Sequence, residues 1–249
     1  MITDYLVSYV NGGGGHFLMS VIKRTVLSGT FNYPPIKLGK FNDAHVNGKN
    51  SNFFFPSGNS LNKPDPTKEF SSIVRLNPGL PCFIPTHYYW PEKQLERWPN
   101  AHLAVVLHKD EDLLDLSING FYKTELTEDW HVRQRQTDYI PIYFSPHNVA
   151  YEEIRNKHPL NFSLEEINVA IRSRICMLIQ AGYHFIKPVD NPQVFYIQYR
   201  DLVNDLDAVV DFTQRVTGQA PTQEVIDEIH KYQTNQKVFV DKVKQELGL

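Results

Sequence analysis

The chain has 249 residues, of which 41% are hydrophobic, and this is enough material for one large α/β domain with a well-buried core. The formal net charge of −3 excludes the broad basic field that non-specific nucleic-acid binding requires. The two cysteines, Cys82 and Cys176, form neither a short-spaced metal motif nor a disulfide framework, and the first residues lack the basic segment of a signal peptide. No apolar run approaches the ~18 residues of a membrane span, so we expect a cytoplasmic protein with no membrane or nucleic-acid partner.

A run of four glycines follows the first predicted strand, Tyr5–Val10. A helix is predicted after it, from Phe17 to about Leu27, with Ser28-Gly29 as its stop. Residues without Cβ visit positive φ easily, and successive N–H groups can then point into one concavity at a helix N-terminus, where phosphate is held. The pattern predicts a phosphate-binding loop. The alternative is that the glycines only permit a tight turn from strand to helix.

The loop differs from a Walker A motif, which needs a Lys-Ser/Thr pair after its last glycine. His16 and Phe17 occupy those positions, which argues against an ordinary Mg-dependent ATPase. A P-loop kinase-like phosphotransferase stays only as a further alternative. Lys23 and Arg24, near the end of the predicted helix, are expected to be solvated and to complement its dipole.

Residues 30–81 are rich in Asn, Gly, Pro and Ser and are predicted to form a long irregular insertion. Pro81–Pro85 then predicts a short buried strand that leads into Thr86-His87. Ala101–Leu107 is nearly all apolar, as in a parallel strand covered on both faces, and it ends in His108-Lys109-Asp110. A helix with an acidic first turn is predicted next, and Pro91 is predicted to begin another helix before this strand.

The polar stretch with Trp130, Arg133 and Arg135 is either a solvated edge or a lid that contacts substrate. Ser163-Leu164-Glu165-Glu166 has the pattern of a capping box that opens a long helix ending at Gly182. The remaining predicted elements are a strand and two amphipathic helices: Phe195–Tyr199, Leu206–Val216 with Gly218 after it, and Pro221 to about Leu247.

Alternating strands and helices predict a doubly wound, mostly parallel sheet with helices on both faces. Ligands bind outside the carboxyl ends of the strands in such sheets. This rule brings Gly12 to Gly15, Thr86-His87 and His108-Lys109 into one candidate cleft. Three separate strand ends therefore predict a single site.

The order of these motifs resembles the sulfotransferases that use 3′-phosphoadenosine-5′-phosphosulfate. Tyr9-Val10-Asn11-Gly12-Gly13-Gly14-Gly15-His16 lies in the frame of that family's 5′-phosphosulfate loop, and Pro85-Thr86-His87 is similar to its Lys-Thr-His. The stretch from His108 to Ser117 is similar to the segment whose Arg and Ser hold the 3′-phosphate. Tyr199-Arg200-Asp201-Leu202 resembles the family's Tyr-Glu-Asp-Leu segment.

The resemblance implies a single P-loop-like, nucleotide-binding domain that transfers a sulfonate group to a hydroxyl or amine of a small or carbohydrate-like acceptor, without a metal. It implies that His87 is the general base. The implied donor-binding residues are Asn11, Gly12, Gly13, Gly14, Gly15, His16, Ser117 and either Lys109 or His108, because the register is ambiguous by one residue. His16 is expected to fill space and stack.

Asn11 and Pro85 stand where the family has lysines. A lost lysine beside a polyanion removes charge-assisted hydrogen bonds, each worth about 1.5–3 kcal/mol. This supports an alternative, a catalytically impaired nucleotide- or anion-binding protein of the same fold. The oligomeric state stays open.

Overall fold

Four parallel strands form the central sheet of the computed structural model, which describes residues 2–10, 12–30, 52–54, 74–75, 77–86, 90–120, 163–180 and 187–249. The strands are β1 (Asp4–Ser8), β2 (Phe53–Phe54), β3 (Val74–Arg75), β4 (Phe83–Thr86), β5 (Ala101–Leu107) and β6 (Val194–Gln198). The helices are α1 (Gly15–Thr30), α2 (Pro91–Arg97), α3 (113–120), α4 (Leu164–Gln180), α5 (Tyr199–Asn204), α6 (Leu206–Thr217) and α7 (Gln223–Leu247).

The central sheet has the order β4-β1-β5-β6, and every pairing in it is parallel. The predicted α/β class and parallel sheet are therefore confirmed. Ser8 of β1 pairs with Thr86 on one side and with Val105 on the other, so the carboxyl ends of three strands lie side by side. Strand β4 lies at the end of the strand order, and its Cys82 and Thr86 carbonyls accept hydrogen bonds from β1. The nitrogen of Pro85, which cannot donate, faces away from β1, so proline is tolerated there.

Apolar side chains cover both faces of the sheet. On one face Val7 and Val106 belong to a core cluster with residues of α1, α6 and α7. On the other face Leu6 and Leu103 pack in a second cluster with Leu95 of α2. Burial on both faces explains why β5 reads as an uninterrupted apolar run rather than as an alternating one.

Helix α1 departs from its predicted end. It runs through Ser28-Gly29 to Thr30, so the predicted stop is wrong. A glycine inside a helix costs only about 1 kcal/mol, and packing of the preceding residues, Ile22 and Leu27 among them, outweighs that local signal. Lys23 is also buried, which contradicts its predicted exposure.

The β2–β3 ladder lies within the segment predicted to be irregular, so that prediction was too coarse for the part the structure describes. Arg75 of β3 forms an ion pair with the buried carboxylate of Asp4, which also accepts a hydrogen bond from the Cys82 N–H at 2.8 Å. Asn52 donates to the Leu80 carbonyl at 2.6 Å and accepts from the Asn77 N–H at 2.8 Å. These bonds tie the ladder to the amino end of the sheet.

Two predicted helix caps of the second half are confirmed, and the predicted stop at Gly182 lies outside the described residues. The Ser163 N–H donates to the Glu166 carboxylate at 2.7 Å at the start of α4, which confirms the capping box. Gly218 ends α6 with a φ of 72°. Helix α7 packs on its own domain through residues such as Ile229 and Val243. In the ranges that the structure describes, no helix has the length and apolarity of a membrane span.

Candidate functional site at the carboxyl edge of the sheet

The candidate site consists of residues at the carboxyl ends of the four parallel strands. The glycine loop comes after β1, Thr86 ends β4, His108 comes after β5, and Arg200 lies in the first turn after β6. Since the strands are parallel and adjacent, these residues lie along one edge, where ligands bind in sheets of this type. Among the predicted site residues, Asn11 and His87 lie outside the described residues, as do Trp130, Arg133 and Arg135.

The glycine loop has two residues in the left-handed region, Gly12 with a φ of 90° and Gly14 with a φ of 72°. The Gly13 N–H donates to the Val10 carbonyl at 2.9 Å, which closes the turn. The Leu18 N–H donates to the Gly14 carbonyl at 3.0 Å, so Gly14 caps α1 and the helix begins at Gly15. A turn of this kind at a helix N-terminus is a favourable place for an anion.

Other protein atoms occupy the positions where a Cβ would stand on Gly12, Gly14 and Gly15. A Cβ at Gly12 would overlap the Leu116 carbonyl oxygen of α3, and one at Gly14 would lie 2.8 Å from the Tyr232 hydroxyl of α7. A Cβ at Gly15 would overlap the ring of Tyr9. Close packing therefore requires glycine at these positions with or without a ligand, and the glycine run alone does not identify an anion site.

His16 and Tyr9 form a buried pair across the loop. Their ring centroids are 5.1 Å apart in an edge-on arrangement, and the Tyr9 hydroxyl is hydrogen-bonded to His16 Nε2. His16 is 8% exposed, which fits the expected role of filling and stacking. Because Gly15 has no side chain, the Tyr9 ring can lie against the first turn of α1.

Buried tyrosine and amide side chains of α3, α5 and α7 pack near the loop and the start of α1. Tyr232 stacks on Phe17 of α1 with the ring centroids 3.7 Å apart. Asn119 of α3 donates to the Tyr199 hydroxyl at 3.0 Å and accepts from Gln236 of α7 at 2.8 Å. Burial raises the pKa of both Tyr199 and Tyr232, and the neighbouring Tyr232 adds to the rise at Tyr199. Both hydroxyls therefore stay protonated at physiological pH.

A cluster of charged side chains lies just after the end of β5. The buried carboxylate of Asp112 accepts from the Lys109 N–H at 2.7 Å and from Arg200 Nε at 2.9 Å. A second contact joins Arg200 Nη1 to Glu111 at 3.0 Å. The hydrogen bond to Asp112 raises the pKa of Arg200 further. Sequence reasoning did not assign Arg200 to the site, although its position directly after a strand was the available signal.

The candidates from His108 to Ser117 differ in accessibility. Lys109 is exposed, whereas His108 is 7% exposed. Ser117 is fully buried in α3, and its Oγ makes no hydrogen bond to any residue in the described ranges. Lys109 is therefore accessible to a molecule in solution, whereas Ser117 is not.

A further arginine, Arg174 of α4, lies against α3. A Cβ at Gly120 of α3 would overlap Arg174 Nη2 and would lie 3.0 Å from Cζ, so the guanidinium lies against this glycine. Gly120 N in turn lies 3.0 Å from the position of a Cβ on Gly12. The sequence reading missed Arg174, because it considered only the apolar members of α4.

Within the described residues no three His, Cys, Asp or Glu side chains converge as a metal-binding group. Comparisons with known proteins found no matching family model, no matching curated protein and no matching solved structure. Function therefore has to be argued from the site itself.

Proposed function

We propose that this chain is a sulfotransferase that binds 3′-phosphoadenosine-5′-phosphosulfate along the carboxyl edge of the sheet. The observation that carries the proposal is the strand order. It puts the glycine loop between the end of β4, which leads into His87, and the end of β5, which leads into Lys109. A candidate anion-binding turn, a candidate base and a cation thus follow three neighbouring strands.

Two features of this edge support binding of the donor's phosphates. The turn from Gly12 to Gly15 packs closely against α3 and α7, and the N–H groups offered to a charged group would be those other than the Gly13 N–H, which donates to the Val10 carbonyl. Lys109 is exposed and provides positive charge next to it. Preorganised donors of this kind stabilise charge that develops in a transition state.

The reaction would be a direct displacement at sulfur. The acceptor oxygen or nitrogen forms a bond to sulfur, the bond from sulfur to the phosphate oxygen breaks, and the acceptor's proton passes to the imidazole of His87. The leaving group is 3′-phosphoadenosine-5′-phosphate. A neutral imidazole with an ordinary pKa near 6.5 suits this role, and general-base catalysis contributes typically ~10²–10⁴-fold.

A second candidate is a protein of this site that binds the nucleotide without turnover. The observation in its favour is the environment of Lys109, which precedes the acidic turn Asp110–Asp112. Asp110 and Glu111 are exposed there and repel a phosphate group, and Ser117 is out of its reach.

Calorimetry with 3′-phosphoadenosine-5′-phosphate tests the binding that both candidates share. Undetectable binding at millimolar concentration would contradict both. The His87→Ala variant then separates them. For an active enzyme we expect the sulfonate-transfer rate to fall by ~10²–10⁴-fold while nucleotide binding is retained. His230→Ala, at an exposed histidine of α7, is the matched control and should keep full activity.

A further inference from the structure

Helix α4 has apolar side chains beyond the face that it buries. Ile167, Ile171 and Leu178 form its buried apolar stripe, and each of them is at most 3% exposed. In the part of the chain that the structure describes, seven large apolar side chains are exposed, and four of the seven belong to this 17-residue helix, namely Leu164, Val169, Met177 and Ile179. Single exposed apolar residues are ordinary, but a group of them on one helix marks an interaction surface.

The outer face of α4 consists of Glu165, Val169 and Arg172. At helical spacing these residues lie within about 60° of one another around the helix, on the side opposite the buried stripe. All three are exposed, and Val169, at 62%, is the most exposed of the seven apolar side chains. Neither Glu165 nor Arg172 makes an ion pair with another residue in the described ranges. An exposed valine therefore lies between two opposite charges that have no counterpart there.

The two charges of the outer face suit a second copy of the same helix. Ion pairs within one helix form at spacings of three and four residues. Glu165 and Arg172 are seven apart, which is about 10.5 Å along the axis. If a second α4 packs antiparallel about a two-fold axis at Val169, Glu165 lies opposite Arg172 of the second copy, within about 1.5 Å along the axis. The charge pattern is thus complementary to its own reverse.

We propose that the outer face of α4 is a homodimer interface, in which two copies of the helix pack antiparallel with their Val169 side chains in contact at the two-fold axis. Symmetry makes each contact occur twice, so Glu165 and Arg172 give two ion pairs beside the apolar centre. A helix that lies on a lipid surface would instead have mainly Lys and Arg on its polar face. One helix face is a small contact, so the association is weak and depends on concentration.

Sedimentation equilibrium of the full chain across the micromolar range tests the proposal. We expect a monomer–dimer equilibrium, and we expect Val169→Glu to raise the dimer Kd at least ~10-fold, because it puts two carboxylates together at the two-fold axis. Val238→Glu, at an exposed valine of α7, is the matched control and should leave the Kd unaltered. A chain that stays monomeric up to the millimolar range, or equal Kd values for the two glutamate variants, would overturn the inference.

The Tm of the dilute monomer separates association from folding. Val169 is exposed in the chain itself, so Val169→Glu should leave this Tm unaltered. A large fall in the Tm of the monomer would show that residues of the same chain cover the outer face, and the dimer assignment would then be wrong.

Charge reversal tests whether the partner is a second copy. Glu165→Arg and Arg172→Glu each replace two attractive pairs by two repulsive ones, so each should raise the Kd about 10-fold. The double variant has opposite charges across the axis again, and its Kd should return close to that of the unaltered chain. Additive losses in the double variant would contradict the assignment, because only a second copy carries the matching reversal.

Disulfide cross-linking tests the register of the two helices. A disulfide requires Cα atoms about 4.4–6.8 Å apart. Val169→Cys, made together with Cys176→Ser, should form a disulfide-linked dimer when oxidised glutathione takes up the two electrons and two protons of the thiols. Cys176 is exposed in the unaltered chain, but its two copies would lie about 21 Å apart along the antiparallel helices, so they should not cross-link. A dimer linked through Cys176 would contradict this register.

These readouts use no nucleotide, and the inference does not depend on the proposed function. A dimer that fails to bind 3′-phosphoadenosine-5′-phosphate contradicts the sulfotransferase proposal alone, and a monomer that binds it contradicts the dimer alone.

Discussion

Alanine substitutions at three glycines should show how tightly the glycine loop is packed. Gly14 and Gly218 share a φ of 72°, but a Cβ at Gly218 would have nothing within 4 Å, whereas one at Gly14 would lie 2.8 Å from the Tyr232 hydroxyl and 3.0 Å from Leu202 Cδ2. Gly218→Ala therefore measures the cost of the left-handed backbone alone, about 1–2 kcal/mol. It is the matched control for the loop.

The same backbone cost applies to Gly14→Ala, and crowding adds to it. Overpacking a buried site costs typically about 1–3 kcal/mol, so we expect a total of about 2–5 kcal/mol. Gly12→Ala should be worse, because the atom in its way is the backbone carbonyl of Leu116, which no side-chain rotation can move. We expect a loss above about 4 kcal/mol for this variant.

Urea unfolding followed by far-UV circular dichroism gives the free energies of unfolding, provided that the slope with urea is unchanged among the variants. Since a domain is typically stable by only about 5–15 kcal/mol, Gly12→Ala can fall below the limit for folding, and the comparison then rests on Gly14→Ala. If Gly14→Ala costs no more than Gly218→Ala, the tyrosine and leucine do not pack against the loop as described, and the reasoning is refuted.

Three further predictions concern other parts of the fold. Burial raises the pKa of the Cys82 thiol to about 12, whereas Cys176 is exposed. A maleimide at neutral pH should therefore label only Cys176 in the folded protein and both cysteines in urea. Labelling of Cys82 in the folded protein, detected by mass spectrometry, would contradict this. Hydrogen bonds from Ser163 lower the pKa of Glu166. The capping box therefore stabilises the fold above the ordinary carboxyl pKa, and this stabilisation is lost as the pH falls through the lowered pKa. Glu166→Gln should remove this part of the pH dependence of Tm between about pH 3 and 6. Asn119→Ala leaves a buried tyrosine hydroxyl and a buried glutamine amide without this partner, and it should cost about 2–4 kcal/mol in urea unfolding; a loss below about 1 kcal/mol would show that the network does not matter.

The sequence predicted the elements whose signals are local. The apolar run Ala101–Leu107 is the strand, and Ser163 and Gly218 mark helix ends because their hydrogen bonds and backbone angles involve only near neighbours. Ser28-Gly29 misled for the opposite reason. There the packing of α1 on the sheet, which is a tertiary effect, outweighed a local stop signal.

The location of the candidate site could be predicted from the sequence, but the contacts of its residues could not. Its place at the strand ends followed from the alternation of elements, and the structure puts the glycine loop, Thr86 and His108 along one edge. The reasons for Gly12 and Gly14 could not be read from the sequence, because the nearest atoms belong to Leu116 of α3 and Tyr232 of α7, about a hundred residues or more away. Arg174 was readable in principle as a charge in an apolar stripe. The roles of Asn11 and His87 stay predictions.

The contact between Tyr232 and the glycine loop also constrains the order of events during synthesis. The ribosome makes β1 and the loop first and α7 after every other described element, and β6 joins the sheet late as well. Until residues 223–247 emerge, Phe17 has no ring of α7 to stack on and the apolar face of α1 is incompletely covered. The nascent N-terminal half therefore exposes apolar surface for most of translation.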